Sequence, residues 1–279
     1  MSSSPLRLFR LAMRAYARAP EERLLSPPAD GELGRAMRHL PLIGLLVGAL
    51  FAVTYVLLAQ LVPHSVAVLL AITVAALVTG GHHEIGWMRF CDAARRDEED
   101  RRQITARAAG AVGAVALVLS ALLKLEALSS LDPSWISVAA LTGHPLSRGL
   151  AVATLTGLNG LAVNAVDDVN AVDDVDGVSR HAQQGPAVLR STWLFALVAG
   201  LVPMLVAAWW LENELAFACG LVPALFAMLL VRRLARRRAA ADSQAVLGGA
   251  QQLTELAWYL GLLAWWTLAA APTTETPIE

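Results

Sequence analysis

Seven long apolar segments, separated by short polar connections, constrain this chain more than any other feature. They cover residues 41–62, 65–81, 108–130, 147–163, 191–211, 214–231 and 249–270. A helix needs about 20 mostly apolar residues to cross the hydrocarbon of a bilayer, where only helices or closed barrels satisfy the backbone. Each segment is too long and too apolar for a buried strand. The sequence therefore predicts an all-α, polytopic integral membrane protein with about seven transmembrane helices.

The composition agrees with a membrane protein. Hydrophobic residues make up 56% of the chain and charged residues 16%, whereas soluble domains carry roughly 25% charged residues. The net charge of −1 gives no reason to expect a nucleic-acid partner. The two cysteines, Cys91 and Cys219, indicate no disulfide framework. Residues 1–38 lack a continuous apolar core, so we expect no cleavable signal peptide.

The basic residues predict the orientation. Of the 22 lysines and arginines, 20 lie in the alternate segments 1–40, 82–107, 164–190 and 232–248. The intervening connections and the tail carry none, so the positive-inside rule places the amino terminus in the cytoplasm and the carboxyl terminus outside. Three regions are then expected: a cytoplasmic basic segment (1–40), a single membrane helical domain (41–270) and an external polar tail (271–279).

Two segments leave alternatives open. Residues 5–19 place their arginines on one helical face, which predicts an amphipathic helix on the anionic cytoplasmic leaflet. A frayed basic terminus is the alternative. Residues 134–144 are apolar but short, and Pro145 is expected to separate them from the next span. They are therefore interpreted as an interfacial or re-entrant piece.

The first of three polar segments predicted to face the cytoplasm follows directly after a span, as a loop over residues 79–92. It contains His83, Glu84 and Asp92. Carboxylates on a short loop suit Mg²⁺, which binds one or two carboxylates together with substrate phosphates. The histidines and glutamate would suit Zn²⁺, but their spacing matches no strong zinc signature. The alternative is a solvated loop whose charges only aid topology.

The second polar segment is a perfect tandem repeat, in which Asn164–Val169 recurs as Asn170–Val175. The paired aspartates Asp167 and Asp168 are candidates to hold a divalent ion between the protein and a diphosphate. A duplication without a function is the alternative.

The third polar segment leads from Asp242 into the last span, where Glu255 would lie inside the membrane. A carboxylate there is costly and often functional, although it could instead reach the headgroups. Lys124 lies late in its span and is expected to snorkel toward the outer interface.

Taken in order, these motifs resemble the cobalamin synthase family, the adenosylcobinamide-GDP ribazoletransferases. The resemblance covers roughly residues 35–270. It rests on Arg35–Gly44, Thr79–Gly81 with His83, Gly86 and Asp92, then Gly110–Gly113, Leu122–Lys124, Ser147–Arg148 and Leu247–Glu255.

This resemblance implies a multi-pass enzyme of the bacterial inner (cytoplasmic) membrane in late cobalamin biosynthesis. Such enzymes transfer the adenosylcobinamide phosphoryl unit from adenosylcobinamide-GDP to α-ribazole or its phosphate, release GMP and require Mg²⁺. The implied partners are these two substrates and the lipid bilayer, and a homo-oligomer is left open. The implied site comprises His83, Glu84 and Asp92 as catalytic residues, Arg38, Lys124, Arg148, Gln251 and Gln252 for substrate, and Asp92, Asp167, Asp168 and Glu255 for the metal.

The chain departs from the family pattern at several acidic positions. Ile85 and Arg89 stand where the family carries aspartates, and Gln244-Ala245 replaces a Gly-Asp pair. The first change removes a metal ligand, and an arginine repels a cation. Two other hypotheses therefore stand beside the transferase. One is a catalytically degenerate relative that acts as a membrane binding or assembly protein. The other is a transporter, which would require polar residues lining several spans at mid-depth.

Overall fold

The computed structural model describes residues 4–17, 28, 31–93, 110–156, 158, 190–237 and 243–270. Within these ranges the chain forms ten α-helices and no strand, which confirms the predicted all-α class. A 3₁₀ turn, Met37–His39, joins the second helix to the third. The helices are α1 (Pro5–Tyr16), α2 (Glu32–Ala36), α3 (Leu40–Leu58), α4 (His64–Thr79), α5 (His82–Asp92), α6 (Ala111–Ser129), α7 (Pro133–Leu155), α8 (Arg190–Trp210), α9 (Glu214–Arg237) and α10 (Ser243–Ala269).

Four or five of these helical units are long and apolar enough to cross a membrane. They are α6, the continuous unit Glu32–Leu58, Ser191–Trp210 in α8, and α9, with the bent pair α4–α5 as the fifth. Each of the seven predicted segments overlaps a helix. Helices α7 and α10 are also long, but polar residues such as Arg148 and Glu255 lower their hydropathy.

Helix α7 lies at the centre of the bundle. Every residue from Thr142 to Leu155 is buried, and the helix contacts α3, α8 and α10 along its length. The surrounding helices instead expose large apolar side chains, for example Leu57 on α3, Val118 on α6 and Phe226 on α9. An apolar outer surface around a polar centre is the arrangement expected in lipid.

Two glycines let α3 approach the backbone of α7. A Cβ atom on Gly44 would lie 2.5 Å from the carbonyl oxygen of His144, and one on Gly48 would lie 2.7 Å from that of Ala140. Their four-residue spacing is the small-residue pattern that brings membrane helices into close contact. This contact places the polar residues of α7 inside the bundle.

A sharp turn separates α4 from α5. Gly80 and Gly81 have φ values of 66° and 69°, a left-handed conformation that glycine adopts without steric cost, and the two helices differ in direction by 90°. The prediction of a loop over residues 79–92 is therefore wrong, because His82–Asp92 forms a helix. Gly86 of α5 packs directly on Gly248 of α10, where a Cβ atom would lie 2.6 Å from the Cα atom of Gly86.

The expected break at Pro145 is also wrong. Helix α7 continues from Pro133 to Leu155 with Pro145 inside it. Proline removes one backbone hydrogen bond, but neighbouring helices can accommodate it inside a membrane bundle. Asp132 caps the start of α7 by accepting hydrogen bonds from the backbone N–H and the hydroxyl of Ser134, and these bonds lower the pKa of Asp132.

The helix predicted within residues 5–19 is present as α1, and its position on the cytoplasmic leaflet stays a prediction. Its apolar side chains, including Leu8, Leu11 and Tyr16, are buried against the protein. The Arg7 guanidinium donates to both carboxylate oxygens of Glu32, at 2.9 and 3.0 Å, and this contact raises the pKa of Arg7. Helix α1 therefore docks on the start of the α2–α3 unit. The tandem repeat with Asp167 and Asp168, and the tail 271–279, lie outside the described residues.

Candidate active site

Glu255 of α10 lies at the centre of a buried polar cluster and is 3% exposed. Its Oε1 accepts a hydrogen bond from Lys124 Nζ of α6 at 2.7 Å. Its Oε2 lies 3.0 Å from His144 Nδ1 and 4.0 Å from Arg148 Nη1, both on α7. Buried charges need such partners. The prediction that Lys124 snorkels to the outer interface is wrong, because its ammonium points inward to this carboxylate.

Three polar side chains extend the cluster. Gln251 Nε2 and Ser147 Oγ donate to Glu255 Oε2. Gln252 accepts from Lys124 Nζ at 2.6 Å and donates through Nε2 to Glu84 Oε1 at 3.0 Å. An unbroken series of hydrogen bonds therefore links Glu255 on α10 to Glu84 on α5.

A cavity of about 40 Å³ adjoins the cluster, which is room for only a few water molecules. Several polar atoms near it are buried without a hydrogen-bond partner in the described part of the chain. They are Glu84 Oε2, His144 Nε2, Arg148 Nε, Gln251 Oε1 and the Tyr259 hydroxyl. Buried polar atoms are rarely left unpaired in folded proteins. Their concentration around one cavity indicates a site that binds a polar ligand or water.

Of the predicted catalytic residues, only Glu84 contributes a hydrogen bond to this cluster. His83 is buried on α5, and its ring stacks on Tyr16 of α1 with centroids 6.4 Å apart. Burial of Tyr16 raises the pKa of its hydroxyl. Arg38, on the 3₁₀ turn before α3, donates to His39 Nε2 at 3.4 Å. Helix α1 therefore covers the histidine that sequence reasoning placed on an open loop.

Asp92 caps a helix. Its Oδ2 accepts from the backbone N–H of Gly110 at 2.6 Å, and its Oδ1 accepts from that of Gly113 at 2.8 Å. Both bonds satisfy donors at the start of α6, and the negative charge is favourable at that end of the helix dipole. This contact holds α5 against α6 and uses both carboxylate oxygens.

Within the described residues, no three His, Cys, Asp or Glu side chains come close enough to share a metal ion. Glu255 is surrounded by cationic and amide donors, and Asp92 is bonded to backbone N–H groups. The other two predicted ligands, Asp167 and Asp168, lie outside the described residues.

A family model described as cobalamin-5-phosphate synthase matches residues 8–263 of this chain. The chain belongs to this family. It is 33% identical to an adenosylcobinamide-GDP ribazoletransferase of Shewanella halifaxensis, over 92% of this chain and 95% of that protein. It is 34% identical to the enzyme of that name from Ralstonia pickettii, over 84% and 86% of the two chains. No solved structure matches.

Two of the positions singled out by the resemblance, Arg89 and Gln244, contact each other. Arg89 of α5 donates through Nη1 to Gln244 Oε1 of α10 at 2.8 Å. Ala245, beside Gln244, is buried, and Ile85, one turn before Arg89, is 41% exposed. An arginine–amide hydrogen bond therefore forms part of the α5–α10 contact.

Sequence reasoning missed His144 and Tyr259. His144 lies four residues before Arg148, a spacing that places both on one face of a helix. The sequence did not predict this pairing because Pro145 was expected to end the helix between the two residues. Tyr259 lies four residues after Glu255, so these two residues also share one face of a helix. The partnership of Lys124 with Glu255 spans 131 residues, and no local pattern could have indicated it.

Proposed function

We propose that this protein transfers the adenosylcobinamide phosphoryl unit from adenosylcobinamide-GDP to α-ribazole or its phosphate and releases GMP. The observation that carries the proposal is the buried cluster, in which Lys124 and Arg148 stand beside a cavity with unpaired polar atoms. Fixed cationic groups in a site that excludes water stabilise the charge of a transferring phosphoryl group. Relatives bearing the name of this activity align with nearly the whole chain.

The residues of the cluster have distinct roles in this proposal. Lys124 and Arg148 neutralise the diphosphate oxygens, and Glu255 holds both cations in place. The ribose hydroxyl oxygen attacks the phosphorus next to the cobinamide, the bond from that phosphorus to the oxygen of GMP breaks, and the hydroxyl proton passes to Glu84. Glu84 suits this role because its Oε2 is buried without a donor in the described residues.

A turnover assay tests the proposal. The protein is purified in detergent and supplied with adenosylcobinamide-GDP, α-ribazole and Mg²⁺, and both GMP and cobamide are measured. Glu84→Gln keeps the shape of the side chain but removes the proton acceptor, so we expect kcat to fall on the order of 10²-fold or more. Unchanged turnover in this variant would remove Glu84 from the mechanism.

Mg²⁺ is proposed to accompany the diphosphate, with Asp167 and Asp168 as its protein ligands. A magnesium ion that takes most of its ligands from substrate phosphates and water needs only one or two carboxylates. We expect a chelator to abolish turnover and Asp167→Asn/Asp168→Asn to raise the Mg²⁺ concentration needed for half-maximal rate. The same double change in the second copy of the repeat, at Asp173 and Asp174, is the matched control.

The proposed location is the bacterial inner membrane, with seven spans and a cytoplasmic amino terminus. The overlap of all seven apolar segments with helices supports the count. The alternation of arginine-rich segments supports the orientation. In this arrangement α5 and the beginning of α10 lie at the cytoplasmic end of the bundle, where nucleotide-linked substrates are found.

A second candidate function is a membrane binding protein that has lost catalysis. The Arg89–Gln244 hydrogen bond and the capping role of Asp92 favour it, because an arginine lies in the α5–α10 contact and both oxygens of Asp92 accept from backbone N–H groups at the start of α6. Substrate binding without GMP release would support this candidate. Replacing Ile85, Arg89 and Ala245 together by aspartate would then be expected to restore Mg²⁺-dependent turnover. A transporter would also place polar residues inside several spans, as Lys124, Arg148 and Glu255 are, but the relatives that bear the transferase name favour the enzyme.

A further inference from the structure

A second, larger cavity lies between α4 and α6 and reaches the buried cluster. Its volume is about 520 Å³. Most of its wall is apolar, formed by side chains such as Leu69, Ile72 and Leu77 of α4 and Leu117 of α6. Leu77 is 62% exposed, so this end opens on the lipid-facing surface of the bundle. The inner end is polar and is formed by Glu84, Lys124 and Gln252.

The polar end has unused hydrogen-bonding capacity. Glu84 binds Gln252 through Oε1, while its Oε2 is buried with no donor among the described residues. The Lys124 ammonium has three N–H donors, and the described contacts occupy two of them, with Gln252 and Glu255. A ligand hydroxyl could therefore donate to Glu84 and accept from Lys124 at the same point. A buried carboxylate oxygen without a donor is costly, and such a hydroxyl would remove that cost.

A cavity between α9 and α10 provides a contrast. It also measures about 520 Å³, but it is lined entirely by apolar or small residues such as Cys219, Val222 and Leu260. That lining suits a lipid acyl chain, which has no polar group to place at the inner end. The α4–α6 cavity instead suits an amphipathic ligand, with an apolar body and a hydroxyl-bearing end.

Size narrows the choice of ligand further. Cavities of roughly 300–1,000 Å³ hold small organic molecules and cofactors. A corrin macrocycle with its side chains is too bulky for the space between two helices, whereas a flat bicyclic base joined to ribose fits it. Glu84 and Lys124 also line the smaller cavity beside Arg148 and Glu255, so a hydroxyl at this end would face the groups assigned to the diphosphate.

We propose that the α4–α6 cavity is the binding site for α-ribazole. The base of α-ribazole lies against the apolar walls of α4 and α6, and the ribose hydroxyl lies at Glu84 and Lys124. This assignment rests on the proposed function and adds a specificity: ribosides of polar bases bind more weakly, because the walls beside the ring offer few hydrogen-bonding groups.

The test measures α-ribazole binding to the full-length protein in detergent by equilibrium dialysis. Ala121→Trp fills the cavity from α6, and Leu122→Trp, at the next position on the lipid-facing surface, is its matched control. We expect Ala121→Trp to weaken α-ribazole binding by about tenfold or more, which corresponds to about 1.4 kcal/mol. Leu122→Trp should leave the affinity unchanged, and both variants should bind adenosylcobinamide-GDP like the parent protein.

A second variant keeps the test decisive if Ala121→Trp does not fold. Thr73→Phe enters the same cavity from an exposed position on α4 and should give the same loss of α-ribazole affinity. Equal affinities in folded cavity-filling and control variants would overturn the assignment. The assignment would also be overturned if the cavity-filling variants lost copurified phospholipid but kept α-ribazole binding. That result would identify the cavity as a lipid site.

A turnover assay distinguishes the proposed α-ribazole binding site from the proposed transferase activity. A parent protein that makes no cobamide, but binds α-ribazole in a way that Ala121→Trp weakens, would refute the transferase and support the binding site. A parent protein that makes cobamide, with an unchanged KM for α-ribazole in Ala121→Trp, would support the transferase and refute the binding site.

Discussion

The carboxylate of Glu255 is the best-connected side chain of the described residues near the cavity. Four groups lie within hydrogen-bonding distance of its two oxygens, from Lys124, His144, Ser147 and Gln251. A charged pair in a membrane interior is tolerated when its partners are fixed in this way. Removing one partner is more disruptive than removing both, because the remaining charge keeps its desolvation cost.

The first prediction follows from this asymmetry. Lys124→Met should lower the free energy of unfolding by about 3–5 kcal/mol, because it leaves Glu255 buried without its ammonium partner. Adding Glu255→Gln should recover only part of that loss, since the amide carries no charge but the buried Arg148 then loses its carboxylate. Thermal unfolding in detergent measures both variants against Leu123→Met, a lipid-facing control. If Lys124→Met were as stable as the control Leu123→Met, Glu255 would not be ionised.

The second prediction concerns Asp92. If its function is to cap α6, Asp92→Asn should retain one acceptor oxygen and cost less stability than Asp92→Ala, which should lose about 0.5–2 kcal/mol. Turnover in Asp92→Asn should then follow the folded fraction. A metal ligand behaves differently: the asparagine variant would fold normally but lose activity unless Mg²⁺ were raised. Measuring the Mg²⁺ dependence of both variants separates these two roles.

At the level of helices, apolar length predicted which segments are helical, but not which helices form the centre. Helix α7 illustrates the limit. Its two halves were interpreted separately because Pro145 usually ends a helix, yet the packed surroundings of α7 outweigh that local preference. Because the helix was divided at Pro145, the sequence did not predict that His144 and Arg148 share one polar face. The α4–α5 turn is formed by Gly80 and Gly81, where the sequence predicted only a loop, and the docking of α5 on α10 depends on contacts far apart in sequence.

The third prediction concerns the α3–α7 contact. Gly48→Val places methyl groups where the backbone of Ala140 lies, so it should separate the helices and destabilise the fold by about 1–3 kcal/mol or more. Ala114→Val places the same valine side chain on the exposed surface of α6 and should be neutral. The folded yield and unfolding temperature in detergent compare the two. Equal stability would show that α3 does not depend on close backbone contact with α7.

At the scale of the whole molecule, a cluster of buried polar residues surrounds Glu255, and large apolar side chains cover much of the outside. The cluster around Glu255 draws side chains from α5, α6, α7 and α10, and α1 covers the neighbouring His83. Helix α5 of the bent pair α4–α5 contributes Glu84 to this cluster. The α4–α6 cavity beside it opens on the outer surface of the bundle. This geometry would let a nucleotide-linked substrate and an apolar base approach the same residues from different directions.

The fourth prediction tests the orientation of this bundle in the membrane. Seven spans with a cytoplasmic amino terminus place the α6–α7 connection outside and the end of α9 inside. In a variant without Cys91 and Cys219, a cysteine at Ser134 should therefore react with a membrane-impermeant maleimide on intact spheroplasts. A cysteine at Arg237 should react only after lysis, and one at the lipid-facing Leu119 should react poorly in both states. Labelling of position 237 in intact spheroplasts would invert the proposed topology, and would move the Glu255 cluster away from the compartment that holds nucleotide-linked substrates.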